Sequence, residues 1–146
     1  MDRTPLDEAF EAMERAAPAQ ADAARLAYYA ELSRTGLFVL LREEARGRDI
    51  LPRVFDLDDG PIVLAFDLEE RLSRFTGIPA PYAALPGRVV AQMLAGGGTG
   101  LGVNLGEPGA FVIPADAVDW LAGLLGRRPD RVDARPVAVH PPQGLP

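Results

Sequence analysis

The sequence predicts one α+β domain: a mixed or antiparallel sheet built from strand-hairpin-helix units, covered by helices and preceded by two N-terminal helices. Three observations predict it. Apolar residues recur at helical spacing in short capped segments; β-favouring runs flank turns rich in aspartate and glycine; and the order strand, turn, strand, helix occurs twice. With 146 residues and 48% hydrophobic content, the chain has the length and composition of a single globular domain.

From the N-terminus, Leu6, Phe10 and Met13 fall at i, i+4 and i+7, the apolar stripe of a helix over 4–17. Thr4 is placed as its N-cap, with Pro5 at the first helical position, and Pro18 marks the break. A second helix fits 22–34, with Ala24, Tyr28 and Leu32 inward and Gly36 as its stop. Leu37-Phe38-Val39-Leu40-Leu41 is short and β-favouring, a buried strand, and 42–49 is a charged solvated loop. Runs at 51–56 and 61–66 flank Asp58-Asp59-Gly60, a hairpin signal.

Asp67, with Glu70 three residues on, has the spacing of a capping box. The helix behind it buries Leu68, Leu72 and Phe75 and closes at Gly77. The prolines of 78–85 predict an ordered loop. A helix from Pro86 or Gly87 to Ala95 turns Val90 and Met93 or Leu94 inward. After a glycine link, Leu101 to Leu105 and Ala110 to Ile113 form a second strand pair around the turn 106–109. Asp116 then caps a helix carrying Ala117, Trp120 or Leu121, and Leu124, with Gly126 as its stop. The domain is expected over 1–128, followed at 129–146 by a tail rich in proline and arginine with an edge strand at 135–139.

The two halves match at an offset of 49 positions: Val54 with Val103, Gly60 with Gly109, Val63 with Val112, Asp67 with Asp116, Leu72 with Leu121, Gly77 with Gly126. Shared turn and cap chemistry explains these pairs, and so does internal duplication. Both readings predict the same architecture.

Composition excludes much chemistry. There is no cysteine, hence no disulfide, thiolate nucleophile or cysteine metal site. All 15 basic residues are arginine, which removes a Schiff-base lysine and a P-loop lysine. His140 is the only histidine and sits beside Pro141-Pro142, a poor setting for a base or a metal ligand. Net charge of −6 opposes nucleic-acid binding. Residues 1–8 lack a basic region followed by an apolar stretch, and no run approaches the ~18 apolar residues of a spanning helix. A cytoplasmic location without a membrane partner is expected.

The run Gly96 to Gly102 follows a helix and precedes a strand, the reverse of a dinucleotide loop, and Val103 stands where a third glycine belongs; it reads as a link. Asp56, Asp58 and Asp59 sit between strands and read as a turn, not a calcium loop. Asp67 and Asp116 read as helix caps rather than a catalytic pair. No catalytic residue, metal or cofactor is expected, and the chain is not expected to be an enzyme.

Four stretches carry a family likeness. They are Tyr28-Tyr29-Ala30-Glu31-Leu32 running to Leu37-Phe38-Val39; Val63-Leu64-Ala65-Phe66-Asp67-Leu68-Glu69-Glu70; Pro81-Tyr82-Ala83-Ala84-Leu85-Pro86-Gly87-Arg88; and Gly102-Val103-Asn104-Leu105-Gly106 through Val112-Ile113-Pro114. On these, the stretch 25–125 resembles the SseB-like family, specifically its N-terminal domain, the third stretch being the most specific. The resemblance implies an α+β bacterial cytoplasmic domain. The family label is linked to serine sensitivity and, through a shared label, to type III secretion, and neither link supplies a mechanism. Longer members carry a second domain, where this chain has its proline-rich tail.

Tyr82, Leu85 and Arg88 are the first candidates for a recognition surface, because tyrosine and arginine on a proline-framed loop are interface-anchoring types. The competing reading folds Tyr82 and Leu85 down onto the sheet. Asn104, on a glycine-flanked strand, and Trp120, in the core or at an interface, are further candidates. The leading functional expectation is a non-enzymatic interaction or regulatory module that engages a protein partner or itself, as a homodimer. The alternative is a small-ligand sensor of amino-acid type, with a ligand carboxylate on Arg88 and a helix N-terminus.

Overall fold

Thr4 has an extended backbone, and its hydroxyl accepts the N–H of Asp7 while the Asp7 carboxylate accepts the N–H of Thr4. This reciprocal cap starts α1 (Pro5–Arg15) with proline at its first position, as the sequence predicts. The computed structural model describes residues 3–44 and 50–125. Within them a 3-10 turn (Pro18–Gln20) leads to α2 (Ala21–Arg34), β1 (Gly36–Leu40), β2 (Val54–Leu57), β3 (Gly60–Phe66) and α3 (Glu69–Thr76). There follow β4 (Tyr82–Pro86), α4 (Gly87–Leu94), β5 (Gly100–Val103), β6 (Phe111–Ile113) and α5 (Ala115–Leu125). The α+β expectation with two N-terminal helices holds.

The strands form one mixed sheet in the order β4-β1-β3-β5-β6, with β2 also paired to β3. β5 runs parallel along Ile62 to Ala65, whereas β2 is antiparallel to Gly60 through Val63 and β1 is antiparallel to Ala65 and Phe66. Ile62 and Val63 thus have β5 on one side and β2 on the other, and Ala65 has β5 and β1. It follows that β1 and β2 share one edge of β3 end to end, joined by the bridge between Leu41 and Pro52.

The two faces of the sheet are unlike. Leu37, Val39, Val63, Ala65, Leu101, Val103 and Ile113 pack with Leu6 of α1, Tyr28 and Leu32 of α2, Val90 of α4 and Val118 of α5. Leu40, Ile62, Leu64 and Phe66 pack instead with Leu72 of α3. Each such buried valine, leucine, isoleucine or phenylalanine side chain contributes about 1.5–3 kcal/mol relative to exposure. Helix α4 lies against α2 at Gly87, where a Cβ would stand 1.8 Å from the Leu32 carbonyl oxygen. Gly77, with φ of 71°, ends α3 in the left-handed conformation expected of it.

Several local expectations are corrected. Residues 82–86 are a strand rather than loop, because the prolines sit where a ladder tolerates them. Asp67 does not cap α3; Leu68 holds the N-cap position without a side-chain bond, and the Asp67 carboxylate is drawn to Arg71 and Thr4. Asp116 lies inside the first turn of α5 and accepts the N–H of Ala117 at 2.9 Å. Gly36 is the first residue of β1, since Thr35 already leaves α2 in an extended conformation. Phe75 is 41% exposed, against the inward placement expected, and of the alternatives Met93 and Leu94 it is Leu94 that turns inward.

The strand-hairpin-helix unit does occur twice, but matched positions differ in place. Val63 is buried at the sheet centre, while Val112 is 40% exposed on an edge strand. The parallel seam joins the second strand of one unit to the first strand of the other. The tail 129–146 with its expected edge strand, Gly126, His140 and residues 45–49 lie outside the described residues. Among those described, no helix is long and apolar enough to cross a membrane.

Candidate functional site

Strand β4 pairs with β1 over its whole length, from Gly36 opposite Pro86 to Leu40 opposite Tyr82. Backbone bonds bracket the pair: Leu41 N–H to the Pro81 carbonyl and Gly87 N–H to the Thr35 carbonyl, each at 2.9 Å. Antiparallel alternation then directs the backbone groups of 81, 83, 85 and 87 toward β1 and those of Tyr82, Ala84 and Pro86 outward. Among the described residues no strand pairs with that outer side. Pro86, without an N–H, falls on the outer side, where the ladder loses nothing.

The outer edge carries no charge of its own. Natural edges are usually guarded by lysine, inward charges or bulges; here the side chains are tyrosine, alanine and proline. Tyr82 is 38% exposed, its ring lies edge-on to Phe38 at 5.5 Å, and its hydroxyl donates to Glu69. That bond, then burial and the Glu69 charge, raise the phenol above its ordinary pKa. Ile78, just before the strand, is 70% exposed.

The other sequence candidates separate. Leu85 points to the opposite face, across from Leu37, and packs on the main core, so for this residue the fold-down reading is the correct one. Arg88 stands exposed in the first turn of α4. Trp120 packs against the core, its ring 6.0 Å from that of Tyr29. Asn104 is buried and belongs to a second constellation.

That constellation gathers at the carboxyl ends of the parallel pair β3 and β5. Asn104 leaves β5 with φ of 55°, donates its N–H to the Ala65 carbonyl at 2.9 Å and accepts the Asp67 N–H on Oδ1 at 3.0 Å. Asp67, also buried, accepts from the Thr4 hydroxyl and from Arg71 Nη1, the latter at 3.0 Å. Arg71 also grips Asp7, Nη1 to Oδ1 at 3.0 Å and Nη2 to Oδ2 at 2.6 Å, with Glu107 3.9 Å from Nε. Glu107 takes a fork from Arg74, both contacts at 3.1 Å.

Burial works against ionising Asp7, but the bonds from Arg71 and Thr4 outweigh it and hold the carboxyl below its ordinary pKa. The Arg71 guanidinium is in turn raised, first by its bond to Asp7. Tyr28 is buried above this cluster, its hydroxyl without a hydrogen-bond partner among the described residues. Burial first, then the Asp67 charge, pushes its phenol up.

A cleft of about 710 Å³ opens in front of Arg71, with Arg3, Asp7, Phe10, Arg74 and Gly109 among its walls. Sequence reading missed Arg71 because an arginine in an amphipathic helix reads as solvated. The available signal was its place four residues after Asp67, a spacing at which an arginine in the first turn of a helix can reach back to a carboxylate just before it.

The family model described as SseB protein N-terminal domain matches residues 10–120 of this chain. No curated protein and no solved structure matches it.

Proposed function

We propose that this chain, which belongs to the SseB N-terminal domain family, is a non-enzymatic interaction module that pairs with a second copy of itself along the outer edge of β4. The observation that carries this reading is the outer edge of β4, which no described strand covers and along which Tyr82 and Ala84 each direct an N–H and a carbonyl outward. An antiparallel partner related by a two-fold axis at Ala83 sets Tyr82 against Ala84 of the other copy. Four backbone hydrogen bonds form, every one repeated by symmetry. Alanine side chains at 83 and 84 let the backbones approach.

Four bonds at about 0.5–1.5 kcal/mol net amount to about 2–6 kcal/mol. Backbone pairing alone therefore supports only weak association, and burial of Tyr82 and Ile78 must supplement it. A dissociation constant of about 0.1–1 mM is the expected range.

The carboxylates support a non-enzymatic reading. Asp67 is committed to Thr4 and Arg71, and Asp116 to the first turn of α5, so the two do not form an acid-base pair. Net charge of −6 supports a protein partner over nucleic acid. A cytoplasmic setting is part of the same proposal.

Amide hydrogen exchange tests the edge directly. Exchange at Tyr82 and Ala84 should slow as protein concentration rises, while exposed amides elsewhere stay unchanged. Concentration-independent exchange at both positions would contradict the proposal.

A further inference from the structure

We propose that the Arg71 guanidinium is a binding site for small carboxylates, and that the Asp7 side chain occupies it from within the chain in place of a ligand. The contact has the two-point geometry by which arginine recognises a carboxylate, with Nη1 and Nη2 facing Oδ1 and Oδ2 at 3.0 and 2.6 Å. The receiving half is built and rigid. The Arg71 side chain is 7% exposed and is held by Asp67 on Nη1 and Glu107 near Nε. Gly109 lets a carboxylate seat closely, since a Cβ there would stand 3.3 Å from Asp7 Oδ1.

The position also suits a ligand. Arg71 lies outside the carboxyl ends of β3 and β5, the parallel strands of an open sheet, where such sheets hold ligands. The cleft of about 710 Å³ in front of it is of small-molecule size. Arg3, paired with Glu11, and Arg74, forked with Glu107, stand on its walls, and the second carboxylate of a dicarboxylate reaches either one by displacing that partner.

The occupying half is separable from the rest. Thr4 and Asp7 precede the segment matched to the family, while Asp67, Arg71 and Glu107 fall within it. Leu6 is the one fully buried side chain of α1. The site therefore lies within the matched segment, while its occupant lies in the first turn of α1 ahead of that segment, so this turn acts as a built-in competitor. This inference is independent of the β4 edge.

The test is a titration of the Asp7→Asn protein with succinate, following melting temperature and the Arg71 Nε–H resonance. Removing a competitor that acts at millimolar effective concentration should tighten succinate binding about ten-fold or more relative to the native chain. Succinamide, or sodium chloride at equal ionic strength, should give no such response. A folded Asp7→Asn protein that responds no more to succinate than to sodium chloride overturns the proposal. Should that variant fail to fold, the native chain carries the test: succinate must speed amide exchange in α1 relative to sodium chloride, and unchanged exchange overturns it.

Discussion

The guanidinium of Arg71 meets the carboxylate of Asp7 at two points across 64 positions of chain, fastening the first helix to the third. Its dependence on pH follows from the Asp7 carboxyl, held below its ordinary value when folded. A depressed carboxylate stabilises the fold fully above its unfolded pKa of about 4 and loses that contribution as pH falls through the folded value. Asp67 and Glu107 face the same guanidinium, and Arg3 lies nearby in the cleft wall. The native melting temperature should fall steeply below about pH 4. Asp7→Asn should lower stability by about 1–3 kcal/mol at neutral pH and flatten that acid limb. Thermal unfolding from pH 2 to 7 checks both.

Two glycines make opposite predictions. Gly87→Ala places a methyl 1.8 Å from the Leu32 carbonyl oxygen and must part α4 from α2. A loss above about 3 kcal/mol is expected, as for severe overpacking. Gly36→Ala meets nothing within 4 Å and should be neutral or mildly stabilising, by up to about 1 kcal/mol. Chemical denaturation of the two variants beside the native chain decides.

The reach of the sequence can be judged from such positions. The Thr4-Pro5 cap, the Asp58-Asp59 turn and the Gly77 stop were legible because their signals are local, and each acts where expected. Strand β4 was not legible, because whether a proline breaks a strand depends on which side of the ladder its nitrogen faces, and that is fixed by β1, more than 40 residues away. The same holds for Asp67. Its spacing to Glu70 promised a cap, but Thr4, 63 positions earlier, and Arg71 take its oxygens. Of the candidate site, Tyr82 and Arg88 were found as exposed residues, whereas Arg71 and Asp7 were overlooked because only folding brings them together.

Asn104 performs two tasks that substitutions can separate. Asn104→Gly keeps the left-handed backbone but drops the bond to the Asp67 N–H, at about 1–3 kcal/mol for a buried unpaired donor. Asn104→Ala adds the strain of φ near 55°, about 1–2 kcal/mol more. Alanine should therefore be the worse variant by that margin in a denaturant titration. Equal losses would show that the backbone relaxes.

The three tyrosines should resist titration together. Burial pushes Tyr28 up and Tyr29 up to about 12, and the bond to Glu69 raises Tyr82. Neutral phenols stabilise the fold below the unfolded pKa of about 10, and that contribution disappears as pH rises through the folded values. Absorbance of the folded chain should show the buried phenols of Tyr28 and Tyr29 un-ionised at pH 10, with Tyr82 the first of the three to titrate. A full three-tyrosine step there, in a chain still folded by circular dichroism, would contradict the burial described.

Most direct is the solution mass across a concentration series to about 1 mM, the native chain beside Ala84→Pro. The Ala84 N–H points away from β1, so proline removes an outward donor and leaves the internal ladder intact. The account predicts that the native chain approaches a dimer at the highest concentrations while Ala84→Pro, equally folded, stays monomeric. A native chain that remains monomeric throughout, or a dimer that survives in Ala84→Pro, contradicts pairing through β4.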